Sequence, residues 1–451
     1  MIGGGSAGFA AARTLAAGAA RVAVVEGGHE LGGLCILRGC MPTKALLHAA
    51  ALRQGFREAA DWGIAAGEVS VDPRQLMARK DALIADFAGY RRRQLEEGPW
   101  ELIRGRAQFV DPHAVEIAGR GRVRARQFVI ATGSAIASPP PVPGLVDSGY
   151  LDSDTALRLE RFPASLVMLG GGAVALEFAQ FFARLGTEVI LVQRSARLLR
   201  GVDPDVADEL AAALREEGMT ILTGTHLQEV RRGDGSVCVR LEHGGQTRTV
   251  SAEAVFHALG RRPLTDLNLE AAGVALDASG LIRTNARQQT SASHIYAAGD
   301  CCGPHEIVHV AIQQGETAAR NILGDSRSLD HRLLLSVVFT EPQVATVGWG
   351  EIAAREAGED VLTASYPFND HGKSMILGAR HGFVKLIARR RTGEILGGAC
   401  VGPQGGELIH EIMVAMAARL TAGQLAALPH YHPTLAEIWT YPAEEIAEAA
   451  G

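Results

Sequence analysis

The sequence predicts an α/β protein carrying two Rossmann-like nucleotide-binding units, and three observations predict it. A G-x-G-x-x-G/A spacing occurs twice, each time opening a helical run that leads into a β-branched strand. Glycine makes up 53 of 451 residues, well above the usual share of about 7%, and gathers in discrete loops. Apolar residues at 47% and charged residues at 21% are ordinary for a globular chain. A chain this long has room for two to four domains at roughly 150 residues each.

The first unit is the opening segment, MIGGGSAG. Gly3, Gly5 and Gly8 hold the fingerprint spacing, with Ser6 and Ala7 between the last two, and an alanine-rich helical run extends to Ala20. Arg21 to Glu26 then reads as a strand ending in an acid. The glycines permit a tight turn and close approach of a pyrophosphate. The helix N-terminus favours its charge, and Glu26 can accept from a ribose hydroxyl. Only Met1 and Ile2 precede Gly3, whereas the strand that normally carries this loop needs about five residues. The expectation is a start codon upstream of the recorded one, or a truncated first strand.

The second unit is SLVMLGGGAVALE, running to Glu177, then a helix to Leu185 and the strand Glu188 to Val192. Gly170 and Gly172 keep the first two positions and Ala175 replaces the third glycine. This strand ends in Gln193-Arg194, with Arg197 and Arg200 beyond. A carboxylate there would repel a 2′-phosphate, whereas guanidinium groups bind it through charge-assisted bonds. NADPH is therefore expected over NADH, the competing reading being that these arginines are merely solvated.

Two weaker signals follow the same logic. His294 to Asp300 is a short apolar strand ending in Gly-Asp, and Asp300 is placed to hold a ribose or ribityl hydroxyl. Thr132 and Gly133 form a tight turn after the strand Gln127 to Ile130, and His309 is a further candidate cofactor contact. Gly260, in AVFHALGRRP, is expected near the second nucleotide.

Between the first helix and the rest of its domain lies GGLCILRGCMPTK. Cys35 and Cys40 are close enough in sequence to bridge, and a helix start with Lys44 nearby should lower a thiol pKa. The alternatives are two buried free cysteines or half of a zinc site, for which no second pair is positioned. Arg38, between them, either favours an acidic substrate or faces solvent. Cys301 and Cys302 are adjacent and read as buried or, less simply, as a soft-metal pair. Cys238 and Cys400 sit in apolar strand-like segments and read as inert.

Lys and Arg total 44 against 50 Asp and Glu, a net charge of −6. That balance argues against a broad nucleic-acid footprint. The basic runs Arg91 to Arg93 and Arg389 to Arg391 are expected on solvated helix or hairpin faces. No uninterrupted apolar stretch reads as a membrane span, and no positive segment precedes an apolar one as in a secretory signal, so a cytoplasmic setting is expected.

The ordered set GGGSAG, GLCILRGCMPTK, ATGS, GGGAVALE, HALGRRP, YAAGD and YHPTLAE resembles the class I pyridine nucleotide-disulfide oxidoreductases. That group includes dihydrolipoamide dehydrogenase, glutathione reductase and mercuric reductase. The resemblance implies a discontinuous FAD domain over 1–145 and 267–328, an NAD(P) domain over 146–266, and a C-terminal α+β dimerisation domain over 329–451. It implies that Cys40 is the flavin-proximal sulfur and Cys35 the sulfur that meets substrate. Lys44 lies near the flavin with Glu177 as its partner by the nicotinamide. His432 is the base, oriented by Glu437, and acts on the cysteines of the other subunit of a homodimer.

Retention of the cysteines, His432 and Glu437 is similar to dihydrolipoamide dehydrogenase, so a small disulfide or dithiol substrate is expected. The arginines after Val192 are similar to mercuric reductase, but no cysteine follows Cys400 to relay Hg(II) inward. Hg(II) reduction is the alternative. A non-catalytic FAD-binding subunit is a third reading, suggested by the short N-terminus alone.

Overall fold

The computed structural model describes residues 1–65, 67 and 69–450. The chain divides into two compact units. One comprises Met1–Ala45, Arg74–Ser138 and Gly260–Asp330; the other comprises Leu46–Pro73, Pro139–Leu259 and His331–Gly451.

In the first unit, strand Ala23–Glu26 pairs in parallel with Glu101–Arg104, and Phe128–Ile130 pairs in parallel with Ile295–Ala297. Ile2 bridges the two pairs, in parallel to Val25 on one side and Ile130 on the other. Strands Phe128–Ile130 and Ile295–Ala297 are buried throughout, so they read as short unbroken apolar runs rather than alternating ones. Helix Ser6–Ala17 covers one face and buries Phe9, Ala11, Ala12 and Leu15. It packs on helix Val308–Leu323 through small residues. A methyl on Gly315 would lie 2.2 Å from the Ala7 carbonyl, so only glycine allows that approach. The long helix Pro73–Glu96 belongs to the same unit, and a three-stranded antiparallel sheet (Ala107–Asp111, Ala114–Ile117, Gly121–Arg124) completes it.

The second unit contains a four-stranded parallel sheet ordered Thr220–Leu222, Glu188–Val192, Ser165–Leu169, Ala254–His257. Helix Ala173–Arg184 crosses from the third of these strands to the second, and Phe178, Phe181 and Phe182 pack with Phe256 into an aromatic core. The helix's polar residues are spent on the segment after the strand Leu335–Val338. Glu177 Oε1 accepts from the Phe339 amide at 3.0 Å, Gln180 Nε2 donates to the Glu341 carbonyl at 2.6 Å, and Arg184 pairs with Glu217 and Glu341.

A five-stranded antiparallel sheet follows, ordered Leu335–Val338, Gln343–Gly348, Ile395–Gly402, Phe383–Arg389, Val361–Pro367. Helices Gly405–Ala417 and Thr440–Ala450 cover it around the fully buried Trp439. Among the described residues, no helix is long and apolar enough to cross a membrane.

Two expectations about basic runs are refined. Arg389 to Arg391 does lie at a hairpin, but Arg389 is held by Glu359 and Glu394. Arg91 is not simply solvated: its guanidinium sits 4.0 Å above the Phe9 ring, trading water for the negative face of an aromatic.

Candidate active site

The two glycine loops show the same division of labour. A Cβ on Gly3 would lie 2.2 Å from the Ala131 carbonyl oxygen, and one on Gly8 would lie 1.9 Å from the Gly3 carbonyl oxygen. These two glycines serve the chain's own close packing. Gly5 is different, since its added methyl would meet nothing nearer than Gly33 Cα at 3.9 Å. It also caps helix Ser6–Ala17 with no side-chain hydrogen bond and no acid in the first turn. The amides of that turn are left for an anion, and the space a side chain would fill is left for its bulk.

The second loop repeats this. A methyl on Gly170 would lie 2.4 Å from the Ala258 carbonyl, whereas one on Gly172 would meet nothing within 4 Å. Gly172 caps helix Ala173–Arg184, again without a side-chain bond or acid in the first turn. Ala175 is accommodated at 1% exposure where the first loop requires glycine. Both loops fit dinucleotide pyrophosphates.

Their flanking groups are fixed to match. Glu26 uses Oε2 to accept from the Gly4 amide at 2.8 Å and Oε1 to accept from Gly28 at 2.7 Å, so its carboxylate is oriented at the strand's end. Ser6 and Ala7 occupy the first turn. Asp300 Oδ2 accepts from Ser134 Oγ at 2.6 Å, and Arg261 Nε donates to that same Oγ at 2.8 Å. Ser134 and Arg261 lie within the ATGS and HALGRRP segments, but neither is singled out as a candidate there. They stand 166 and 39 residues from Asp300 in the chain and meet only because Arg261–Pro263 pairs with Ser134–Ile136. Thr132 Oγ1 donates to the Leu264 carbonyl, Gly133 adopts φ +74°, Gly260 adopts φ +122°, and His309 lies in the first turn of helix Val308–Leu323. Arg194 and Arg200 are exposed past the end of strand Glu188–Val192, while Arg197 is engaged by Asp208 at 3.1 Å.

Cys35 lies in the short helix Gly33–Leu37, and Cys40 is the first residue of helix Cys40–Glu58, with Lys44 one turn further on. The local fold brings the two sulfurs into hydrogen-bonding range. That bond to Cys40, reinforced by burial, holds the Cys35 thiol far above its ordinary pKa, against the opposite pull of Lys44. The expectation of a lowered thiol pKa is therefore corrected for Cys35. The vicinal Cys301 and Cys302 are buried, their sulfurs turned onto the carbonyls of Ala298, Ile130 and Gly299. Among the described residues there is no cluster of three or more metal-ligating side chains. Burial pushes the Cys400 thiol well up, and Cys238 lies against Ser251 Oγ.

At the far end of the chain, Glu437 is 11% exposed and His432 78% exposed. His432 Nδ1 donates to both Glu437 oxygens, at 3.2 and 3.1 Å. The carboxylate accepts only, so Nδ1 carries the proton and Nε2 faces outward as an acceptor. The local signal is complete here, since the two residues lie five apart. What the sequence did not signal is a second histidine on the same carboxylate: His371 Nε2 lies 3.1 Å from Glu437 Oε1.

Comparison with known proteins agrees with this constellation. The model of the pyridine nucleotide-disulphide oxidoreductase family matches residues 1–315, and that of the pyridine nucleotide-disulphide oxidoreductase dimerisation domain matches residues 334–443. The chain is 37% identical to a dihydrolipoyl dehydrogenase of Thermus scotoductus, over 100% of this chain and 97% of that one. It is 35% identical to a mercuric reductase of Staphylococcus aureus, over 97% of this chain and 80% of that one. Among solved structures it resembles the HOCl-induced flavoprotein disulfide reductase RclA of Escherichia coli, with a TM-score of 0.87, 28% identity and 98% of each chain covered. The chain belongs to the pyridine nucleotide-disulphide oxidoreductase family: it is a FAD-dependent NAD(P)H disulfide oxidoreductase with that family's dimerisation domain.

Proposed function

We propose that the enzyme acts on a small disulfide or dithiol in the manner of a dihydrolipoamide dehydrogenase, uses NADPH in preference to NADH, and works through Cys35 and Cys40. The observation that carries the reading is the cysteine pair itself, two sulfurs sharing a hydrogen bond at a helix start one turn from Lys44. We assign the flavin to residues 1–145 and 267–328, NADPH to 146–266, and the subunit contact to 329–451, in a cytoplasmic homodimer. Gly3, Gly5, Gly8, Glu26, Thr132, Gly133, Asp300 and His309 would hold FAD, and Gly170, Gly172, Ala175, Arg194, Arg200 and Gly260 would hold NADPH. Lys44 would stand by the flavin and Glu177 by the nicotinamide.

Bound FAD supplies the route by which the two electrons of NADPH reach the Cys35–Cys40 disulfide. The remaining steps belong to the chain. With its pKa held up by the bond to Cys40 and by burial, the reduced Cys35 needs a base before it can attack. The partner subunit's imidazole, matching His432 here, takes that proton at Nε2, with Glu437 holding the ring. The Cys35 thiolate attacks one substrate sulfur and forms a mixed disulfide, and the departing thiolate takes the proton back from the imidazole. The Cys40 thiolate then attacks Cys35, breaking its bond to the second substrate sulfur, which leaves as a thiolate and takes a proton from solvent as the Cys35–Cys40 disulfide is restored. A monomer should be inactive, because base and cysteines come from different subunits.

NADPH consumption by the purified dimer, measured in parallel with lipoamide, glutathione disulfide and Hg(II), tests the reading. Turnover of a disulfide that is lost in Cys35→Ser supports it. Turnover of Hg(II) alone would transfer the assignment to metal-ion reduction, the activity named for the Staphylococcus aureus relative.

A further inference from the structure

We propose that His371 is a positioning residue for the proton transfer, holding Glu437 through the oxygen it shares with His432 and sharing its charge. The inference rests on the reading of His432 as the base.

His371 is fully buried, and its backbone is pinned on both sides. Its amide donates to the Phe368 carbonyl at 3.2 Å, and its own carbonyl accepts from Met375 at 2.9 Å. Nε2 lies 3.1 Å from Glu437 Oε1, and Nδ1 lies 2.7 Å from Ser374 Oγ. An ionised carboxylate only accepts, so Nε2 carries a proton, and in the neutral ring Nδ1 then accepts from the Ser374 hydroxyl. Oε1 is shared, with His371 at 3.1 Å and His432 at 3.2 Å. The result is a continuous line from Ser374 through His371 and Glu437 to the exposed His432.

A carboxylate facing a single imidazole places its full charge on that ring and stabilises the imidazolium, which makes the neutral base scarce. A second, permanent donor draws off part of that charge and fixes the carboxylate rotamer at the same time. The other groups around this line are His430, which feels the charge of Glu437 and is paired with Glu411 at 2.6 Å, and Tyr441, whose ring centroid is 6.1 Å from that of His371. Tyr441 is stacked in turn on Tyr366, whose hydroxyl donates to Asp370. None of these reaches Oε1 with a donor.

The test follows alkylation of Cys35 by iodoacetamide in the NADPH-reduced holoenzyme across about pH 5 to 9, the range in which an imidazole titrates. His432→Gln first establishes whether the acidic limb belongs to His432. If it leaves the limb in place, the base reading fails, and this inference with it. Where His432→Gln abolishes the limb, His371→Phe should move it upward by roughly half to one pH unit, by loss of a hydrogen bond to the charged carboxylate. His371→Gln, which restores an N–H at the position of Nε2, should bring it back. A limb that stays at the wild-type pH in His371→Phe, or a uniform loss of rate with an unmoved limb, overturns the inference. If His371→Phe does not fold, Ser374→Ala keeps the ring but weakens Nε2 as a donor. It should move the limb in the same direction, and an unmoved limb there overturns the inference equally.

Discussion

Gly172→Ala separates the cofactor's needs from the chain's own. At φ −88° and ψ −179° the backbone is one that alanine adopts freely, and the new methyl would find no atom within 4 Å. Losing a glycine at a helix N-cap costs up to about 1 kcal/mol. The smaller conformational entropy of the unfolded chain returns about 0.4–1 kcal/mol. The net change in stability is therefore near zero, and for a unit of this size the melting temperature should move by no more than about 2 °C. The same methyl stands at the mouth of a helix N-terminus left uncapped for an anion. If it displaces one charge-assisted hydrogen bond to the NADPH pyrophosphate, binding weakens by about 1.5–3 kcal/mol, roughly 10- to 150-fold. Titration of NADPH onto the variant, with flavin content and melting temperature recorded on the same preparation, checks both halves. Unchanged NADPH affinity, or a variant that melts several degrees early, would refute the reasoning.

Three further outcomes follow from the same structure. Arg194→Ala should weaken NADPH by about 2–3 kcal/mol while leaving NADH nearly unaffected. Equal losses in parallel Kd measurements would show that the arginine is only solvated. Lys385, 7% exposed, is held by Asp205 at 2.8 Å, Glu351 at 3.0 Å and the buried Asp203 at 3.2 Å. Lys385→Met should lower unfolding free energy in urea by about 3 kcal/mol through the uncompensated Asp203, and a loss under about 0.5 kcal/mol would contradict this. Burial opposes the charge on His381, but bonds to Glu216 and Glu209 outweigh it and raise its pKa. Its contribution to stability is thus full below the unfolded imidazole value of about 6.5 and is lost as pH rises through the raised folded value. His381→Gln should flatten that part of the melting-temperature profile, and an identical profile in both proteins would sink the assignment.

What was legible in the sequence is what is settled within a few residues. Both glycine loops are local demands of a turn, and so are the Cys35–Cys40 spacing and the His432–Glu437 pair. Groups brought together by strand pairing or packing were not legible. His371 stands 66 residues before Glu437 in a polar loop with no periodicity, and Ser134, Asp300 and Arg261 meet through two different sheets. Arg91 was misread for the same reason, since only the fold brings Phe9 beneath it. Even within the cysteine pair, spacing predicted proximity but not the direction of the Cys35 shift, which comes from the bond to Cys40 and from burial. The antiparallel sheet of the C-terminal region left no pattern as clear as the glycine loops, and it was anticipated through resemblance alone.

The most direct test is anaerobic two-electron reduction of the purified holoenzyme, followed by absorption spectroscopy and compared with Cys40→Ser. The wild-type protein should develop the long-wavelength band of a thiolate lying against oxidised flavin, and Cys40→Ser should keep its flavin but never show that band. A band that survives in Cys40→Ser, or is absent from both, would contradict the assignment of Cys40 beside the flavin and of electron passage through this pair.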